Sequence, residues 1–338
     1  MNKTDIASLR YDELKAFIKE NGLPEYRAEQ IYKWISSGVF KFSEMTNIGK
    51  ALTEKLEAIA FLPTLDVVKK SESSDGTVKY LFSLHDGQLI ETVVMNYKHG
   101  NSVCISSQVG CKMNCAFCAS SLKGFTRDLS AGEMLAQVAY VNKEHGVSSI
   151  VIMGIGEPFD NFDNIMRFLD NIKNPKGMGL SHRHCSVSTC GIVPKIYELS
   201  VPETQLTLSV SLHAPDNETR NKIMPVNKVW DIGELMTACR HFTQITGRRI
   251  SFEYTLIDGL NDTPAHAEKL ANLLKGMLAH INLIPVNYVS ERGLNPSNKA
   301  KVKQFYDILK SKGMNVTVRR TLGDEINAAC GQLRNISS

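Results

Sequence analysis

Past residue 100 the chain alternates short apolar runs with stretches long enough for helices. The runs are SVCISSQ (102–108), SSIVIMGI (148–155), HCSVSTCG (184–191), TLSVSLHA (207–214), RISFEYTLIDG (249–259) and HINLIPVNY (280–288), with NVTVRR (315–320) as a late addition. Strands separated by helix-length segments predict parallel pairing, and about six such units predict an open or partial version of the (β/α) barrel. The first intervening helix is well marked, because Ser130-Ala131-Gly132-Glu133 matches a capping box ahead of MLAQVAYVNKEHG. Closer to the amino terminus the pattern differs. YDELKAFIKENG and YRAEQIYKWISSG have a helical period and stop at Gly22, with Pro24 beyond, and at Gly38. From about 65 to 97 the period is two, and KYLFSLHDGQLIETVVMNY predicts a hairpin turning at Asp86-Gly87. The expected organisation is an α/β protein with a small helical unit over residues 1–60, a β-hairpin link over 61–97 and a catalytic domain over 98–338.

With 338 residues, 43% of them hydrophobic, the chain can bury a large core. MNKTDIASLRYDELK carries no apolar signal region, and no stretch approaches the roughly 18–20 apolar residues of a membrane span. The expectation is a cytosolic protein without membrane attachment. In the cytosol thiols stay reduced, so clustered cysteines are read as metal ligands or catalysts rather than bridges. A net charge of +4 does not by itself call for nucleic acid, but residues 291–338 hold nine Lys/Arg against four acids. Such a face either binds phosphate or is simply a solvated surface. Residues 1–60 are balanced, nine against nine, which excludes strong electrostatic steering by that unit and leaves local shape recognition.

Four of the eight cysteines lie in CISSQVGCKMNCAFCAS, residues 104–120. Cys111, Cys115 and Cys118 form C-x3-C-x2-C after a strand and before a helix, where Gly110 and Asn114 suit a turning loop. Two centres fit three thiolates: zinc, which then needs a fourth ligand from elsewhere, and a [4Fe–4S] cluster with one iron left open to a small molecule. The other strands deliver Gly156 and Glu157, Ser188, Ser211-Leu212-His213, and Asn287-Tyr288 to the end where barrel folds build their sites. Taken singly, each suits a structural role; their recurrence at one end of several strands is what a small-molecule pocket requires.

With Phe117 before its last cysteine, the motif resembles the signature of radical S-adenosylmethionine enzymes, whose fold is a partial (β/α)6 barrel. That resemblance implies a [4Fe–4S] cluster on Cys111, Cys115 and Cys118, and S-adenosylmethionine chelating the open iron and cleaved reductively to a 5′-deoxyadenosyl radical. ETVVMNY, CISSQVGC, GFTRDL, MGIGEP, STCGIVP, SLHAPD, EYTLIDGLND and GDEINAACGQL occur in the order found in the bacterial RNA adenine methyltransferases of this superfamily. The likeness implies methylation of carbon 2 of adenosine in 23S ribosomal RNA, at the peptidyl-transferase centre, and in tRNA. By it, Gly156, Glu157, Ser188, Ser211, Leu212, His213 and Asn287 hold S-adenosylmethionine.

Carbon 2 of adenine is electrophilic, so a methyl cation has no nucleophile to meet there. The resemblance supplies a radical route in which Cys330 carries the methyl, Cys104 resolves the RNA adduct through a transient disulfide with Cys330, and Glu91 accepts the proton. Alternation alone makes Glu91 a solvent-facing strand residue. Cys185, Cys190, Cys239 and Trp34 are read as core. The implied partners are 23S rRNA, tRNA and an electron donor such as flavodoxin, and a monomer is expected. Two competitors remain: carbon-8 methylation, as in a related antibiotic-resistance branch using the same cysteines, and a zinc-stabilised RNA-binding protein, which gives Cys104 and Cys330 no purpose. GEP at 156–158 and GFTR at 124–127 resemble the housekeeping branch; Phe159-Asp160 and Asp128 depart from its commoner pattern.

Overall fold

The amino-terminal helical periods form a compact unit in the computed structural model, which describes residues 3–98, 100–320 and 322–334. Strand β1 (Thr4–Asp5) precedes helices α1 (Tyr11–Glu20), α2 (Arg27–Ser36) and α3 (Lys50–Ile59), and β2 (Ala60–Phe61) returns parallel to β1. Leu14 and Ile18 on α1, and Ile31 and Ile35 on α2, are four residues apart and buried, as one apolar helix face requires. Trp34 is partly buried, packs on the core and donates from Nε1 to Asn47 Oδ1 at 2.7 Å.

Next come the antiparallel strands β3 (Leu65–Glu72), β4 (Val78–Leu84) and β5 (Leu89–Tyr97), with the tight turn at Asp86-Gly87 between the last two, as the alternation predicted. These strands continue directly into the main sheet, because β5 pairs antiparallel with β6 (Gly100–Cys104). The short β7 (Gln108–Gly110) and β8 (Phe125–Asp128) pair with each other. The alternating part then runs α4 (Ala131–His145), β9 (Ser149–Ile152), α5 (Phe162–Lys173), β10 (Cys185–Thr189), α6 (Val193–Leu199), β11 (Thr207–Ser211), α7 (Asn217–Ile223), α8 (Ile232–Thr246), β12 (Ile250–Leu256), α9 (Pro264–Leu274), β13 (Ala279–Pro285), α10 (Lys299–Ser311) and β14 (Val316–Val318).

All seven expected strands past residue 100 are present and parallel, in the order β6-β9-β10-β11-β12-β13-β14. The order follows the chain, each strand joined to the next by a crossover that contains a helix. The first strand is shorter than expected. It ends at Cys104, and the chain turns off the sheet, where β7 pairs with β8 instead of lengthening β6.

The predicted capping box starts α4: Glu133 N donates to Ser130 Oγ at 3.1 Å and Ser130 N to Glu133 Oε2 at 2.9 Å. The amino-terminal unit docks on this helix end, with the Asp5 carboxylate accepting from Ser130 Oγ at 2.8 Å and Ser8 Oγ accepting from Gly132 N at 2.8 Å. Among the described residues no helix is long and apolar enough to cross a membrane.

Candidate active site

The carboxyl ends of the parallel strands surround a cavity of about 150 Å³. Cys111, Cys115 and Cys118 line it together with Gly156, Glu157, Ser188, Ser211, His213, Asn287 and Cys330. A second cavity of about 30 Å³ adjoins it and is lined by Cys104 and Cys330. Asn287, Arg319 and Cys330 belong to both walls. Of the strand-end and catalytic candidates, Leu212, Tyr288 and Glu91 line neither: Leu212 is fully buried, Tyr288 is exposed, and Glu91 lies under the carboxyl-terminal segment.

The cysteine loop is built to present thiols. Asn114 adopts φ 49°, a left-handed conformation that asparagine tolerates, and the Cys118 N–H closes a turn on Cys115 O at 3.1 Å. Arg292, far along the chain, clamps the loop: Nε donates to Cys118 O at 2.9 Å, and Nη2 to Ser121 Oγ at 2.7 Å and Asn114 Oδ1 at 3.2 Å. Burial pushes the Cys111 thiol up to about 12 and raises that of Cys115 as well. Three thiols facing one cavity are the donor set that a metal centre converts to bound thiolates. Among the described residues no group of three His, Cys, Asp or Glu converges as for a single metal ion. The trio, on one loop and facing one cavity, would hold an iron–sulfur cluster through three thiolates and leave the fourth ligand to a small molecule.

Beyond β9 the turn over Gly154 to Glu157 folds onto the segment after β6. A Cβ on Gly156, at φ 111°, would lie 2.7 Å from Gln108 Cβ and Ser107 Oγ, so only glycine fits. Glu157 N donates to Gln108 Oε1 at 2.9 Å, while its carboxylate accepts from Phe159 N at 3.0 Å and Cys190 N at 2.7 Å. Burial raises the Glu157 pKa against these backbone donors. His213 also sits at positive φ, 54°. Its Nδ1 accepts from Thr255 N at 2.9 Å, which assigns the proton to Nε2, and burial lowers its pKa to about 3, so the ring stays neutral. The ring packs edge-on against Phe117 with centroids 4.7 Å apart, tying this strand end to the cysteine loop.

Arg220 supports both strand ends from below. It is fully buried and donates to Leu212 O at 3.1 Å, Ser211 O at 3.1 Å, Cys190 O at 2.6 Å and Asn227 Oδ1 at 2.9 Å. Replacing it leaves three buried carbonyls short of donors. Arg220→Met is expected to destabilise the protein by about 3–5 kcal/mol in urea unfolding; a loss below about 1 kcal/mol would show that the carbonyls find other partners.

The Cys330 loop is held from several sides. Ala119 N donates to Gly331 O at 2.7 Å, Asn287 Nδ2 to Cys330 O at 2.9 Å, and Ser120 Oγ to Leu333 O at 3.0 Å. Cys104, at the end of β6, is buried, and burial followed by the neighbouring Cys330 pushes its thiol up to about 12. All eight cysteines are free. The Arg319 guanidinium stands beside Cys330 and Glu253, which together hold its pKa above the ordinary value against burial. Glu253 accepts from Asn282 Nδ2 at 2.7 Å and Ser251 Oγ at 3.0 Å.

Glu91 is 4% exposed rather than solvent-facing, because β5 lies between β4 and β6 inside the sheet and is buried along most of its length. Its Oε2 accepts from Arg334 N at 2.7 Å and its Oε1 pairs with Lys79 Nζ at 2.8 Å. Cys190, read as core, lies at the cavity wall, while Cys185 and Cys239 are buried in β10 and α8.

Much of the basic charge of residues 291–338 is already committed. Lys301 pairs with Asp258 and Asp262, Lys303 with Asp307, Lys312 with Glu268 and Arg334 with Glu291, while Arg292 and Arg319 turn toward the cysteine loop and the cavities. Arg319, Arg292 and Arg220 escaped the sequence reading. For Arg319 a signal existed, since NVTVRR ends a strand at the same end of the sheet as the other site residues.

The family model of the radical SAM superfamily matches residues 105–274, and that of the ribosomal RNA large subunit methyltransferase N-terminal domain matches residues 4–62. The probable dual-specificity RNA methyltransferase RlmN of Bacillus subtilis (strain 168) is 49% identical, the match covering 98% of this chain and 93% of that protein. Its counterpart in Thermoanaerobacter sp. (strain X514) is also 49% identical, over 98% of this chain and 97% of its own. A crystal structure of a radical SAM methyltransferase from Sphaerobacter thermophilus superposes with a TM-score of 0.95 at 41% identity, covering 98% of this chain and all of that one. Sequence, fold and the disposition of the cysteines thus agree, and the chain belongs to the RlmN family of radical SAM RNA methyltransferases.

Proposed function

We propose that the protein methylates carbon 2 of adenosine in RNA by way of a methyl group first loaded on Cys330. The observation that carries this reading is the presence of two free thiols, Cys104 and Cys330, in one small cavity adjoining the cavity lined by Cys111, Cys115 and Cys118. As a radical SAM enzyme the protein works with a [4Fe–4S] cluster and S-adenosylmethionine, which when bound supply the methyl group and a hydrogen-abstracting 5′-deoxyadenosyl radical.

Cys111, Cys115 and Cys118 hold the cluster. Glu157 keeps acceptor capacity on a carboxylate fixed by two backbone N–H groups and suits the ammonium of S-adenosylmethionine. Gly156 leaves room for close approach, Ser188, Ser211 and Asn287 offer polar contacts, and neutral His213 offers an Nε2–H; Leu212, its side chain in the core, fixes the backbone between Ser211 and His213. Cys330 takes the methyl on sulfur, with the Arg319 guanidinium placing positive charge beside it. Once the methyl carbon has joined the base, Glu91 accepts the carbon-2 proton. The adduct's unpaired electron leaves to a one-electron acceptor, a role the oxidised cluster would fill. The Cys104 sulfur then bonds to the Cys330 sulfur, the carbon–sulfur bond breaks with its electron pair going to the methylene carbon, a solvent proton completes the methyl, and an external reductant reopens the disulfide.

The proposed substrates are 23S rRNA and tRNA, supported by the names of the relatives and of the amino-terminal family. A flavodoxin-type donor, a monomeric state and a cytosolic setting complete the proposal. The test is reconstitution without oxygen, incubation with protein-free 23S RNA or tRNA, S-adenosylmethionine and a reductant, and mass spectrometry of the digested nucleosides. The expected product is 2-methyladenosine; 8-methyladenosine in its place would transfer the chain to the carbon-8 chemistry.

A further inference from the structure

Glu91 has two partners with different consequences. Arg334 reaches it through a backbone N–H, so the contact survives any side-chain change at that position. Lys79 reaches it with a full charge. Lys79 lies on β4 directly across from Val93, and therefore on the same sheet face as Glu91, two residues before Val93 on β5. Its Nζ is 2.8 Å from Glu91 Oε1 and also donates to Asn327 O at 3.1 Å. The side chains of Lys79 and Glu91 are only 13% and 5% exposed, so water screens their pairing little.

Asn327 is itself unusual. It lies three residues before Cys330 and adopts a left-handed conformation at φ 51°. The turn is pinned from the other side by Asp75 Oδ2, which accepts from Gly323 N at 2.9 Å, and by Glu325, whose carboxylate accepts from Ser74 Oγ at 2.7 Å. One ammonium group thus bridges the carboxylate of β5 and the base of the loop that carries Cys330.

We propose that Lys79 is a positioning residue for carbon-2 deprotonation: it keeps Glu91 ionised and in register with the Cys330 loop. The proposal rests on the proposed role of Glu91 as proton acceptor. The charged groups facing Glu91 are Lys79 from β4 and Arg334 from the carboxyl-terminal segment, and the Arg334 guanidinium is turned to Glu291 at 2.7 Å. Burial raises the Glu91 pKa, and Lys79 is the largest influence working against it. Without that ammonium the carboxylate binds its proton more tightly, so a larger share of the enzyme meets the adduct with its base already protonated. No new bond is made by Lys79; the proton moves from carbon 2 to a Glu91 oxygen, and the ammonium compensates the charge while Glu91 waits.

The experiment follows the RNA–protein adduct in a single turnover of the reconstituted enzyme, quenched at intervals across a pH series and resolved on denaturing gels. Lys79→Met is expected to load methyl on Cys330 and to form adduct, but to resolve it along an acid limb moved upward by about one pH unit or more, the scale of removing a close opposite charge. Lys79→Arg, which keeps the charge, should restore most of the limb's position. An unshifted limb in Lys79→Met, with adduct resolved at the normal rate, would overturn the assignment. A shift equally large in Lys79→Arg would also overturn it in favour of a packing role. Glu91→Gln separates the two levels: resolution of adduct at the normal rate in that variant rejects Glu91 as the base, whatever Lys79 does.

Discussion

Cys104→Ala is expected to halt the enzyme with its RNA attached. The variant keeps the three cluster cysteines, Cys330 and every candidate contact to S-adenosylmethionine, so methyl loading and attack on the base proceed. What it lacks is the sulfur that takes Cys330 off the methylene carbon. A covalent RNA–protein band should accumulate to about one per enzyme, survive denaturation and disappear on nuclease treatment. Structure predicts that the substitution itself is tolerated, since it trims one sulfur beside an existing cavity at a cost of about 1 kcal/mol. Burial raises the Cys104 thiol to about 12, which keeps it protonated and slow to react before the adduct has formed. Free methylated RNA at normal yield from Cys104→Ala would remove this residue from the scheme.

Cys330→Ala should fail one step sooner. With no sulfur to accept the methyl, neither methylated protein nor RNA adduct forms, and product falls by about a millionfold, the scale of deleting the nucleophile from an enzyme that works covalently. Iron and sulfide content should match the parent protein, because Cys330 is not among the cluster thiols. That control distinguishes lost chemistry from lost structure. Peptide mass spectrometry of the parent protein should find one added methylene on the peptide carrying Cys330, and Cys330→Ala should show none. Methylated RNA from this variant would mean that methyl reaches the base by another route.

The parallel strands were readable because each is a short apolar run with turn residues at its ends, and a sheet covered on both faces needs nothing subtler. The same physics misplaces Glu91. Alternation assigns a polar residue to the wet face only when one face is wet, and β5 lies inside a ten-stranded sheet with the carboxyl-terminal segment laid over it. The cysteine loop was legible from spacing, whereas its clamp was not: Arg292 is separated from Cys118 by 174 positions, and nothing local marks it as different from the solvated cations around it. Arg220 hides in the same way inside a short amphipathic helix, its partners being backbone carbonyls that leave no trace in side-chain pattern. Lys79 occupies a regular strand position opposite Val93, and its importance comes from what the distant carboxyl-terminal loop brings to it. Motif residues were visible one by one, while the groups that orient them come from long-range contacts.

The most direct measurement is the fate of a methyl group labelled with three deuteriums. Enzyme stripped of any resident methyl is given labelled S-adenosylmethionine, RNA and reductant in ordinary water, and the methylated adenosine is analysed by mass spectrometry. If the methyl is parked on Cys330, gives up one hydrogen to become a radical and is completed by a solvent proton on release, the product carries two deuteriums. A product retaining all three would show direct transfer of an intact methyl and would contradict a methyl-carrying role for Cys330.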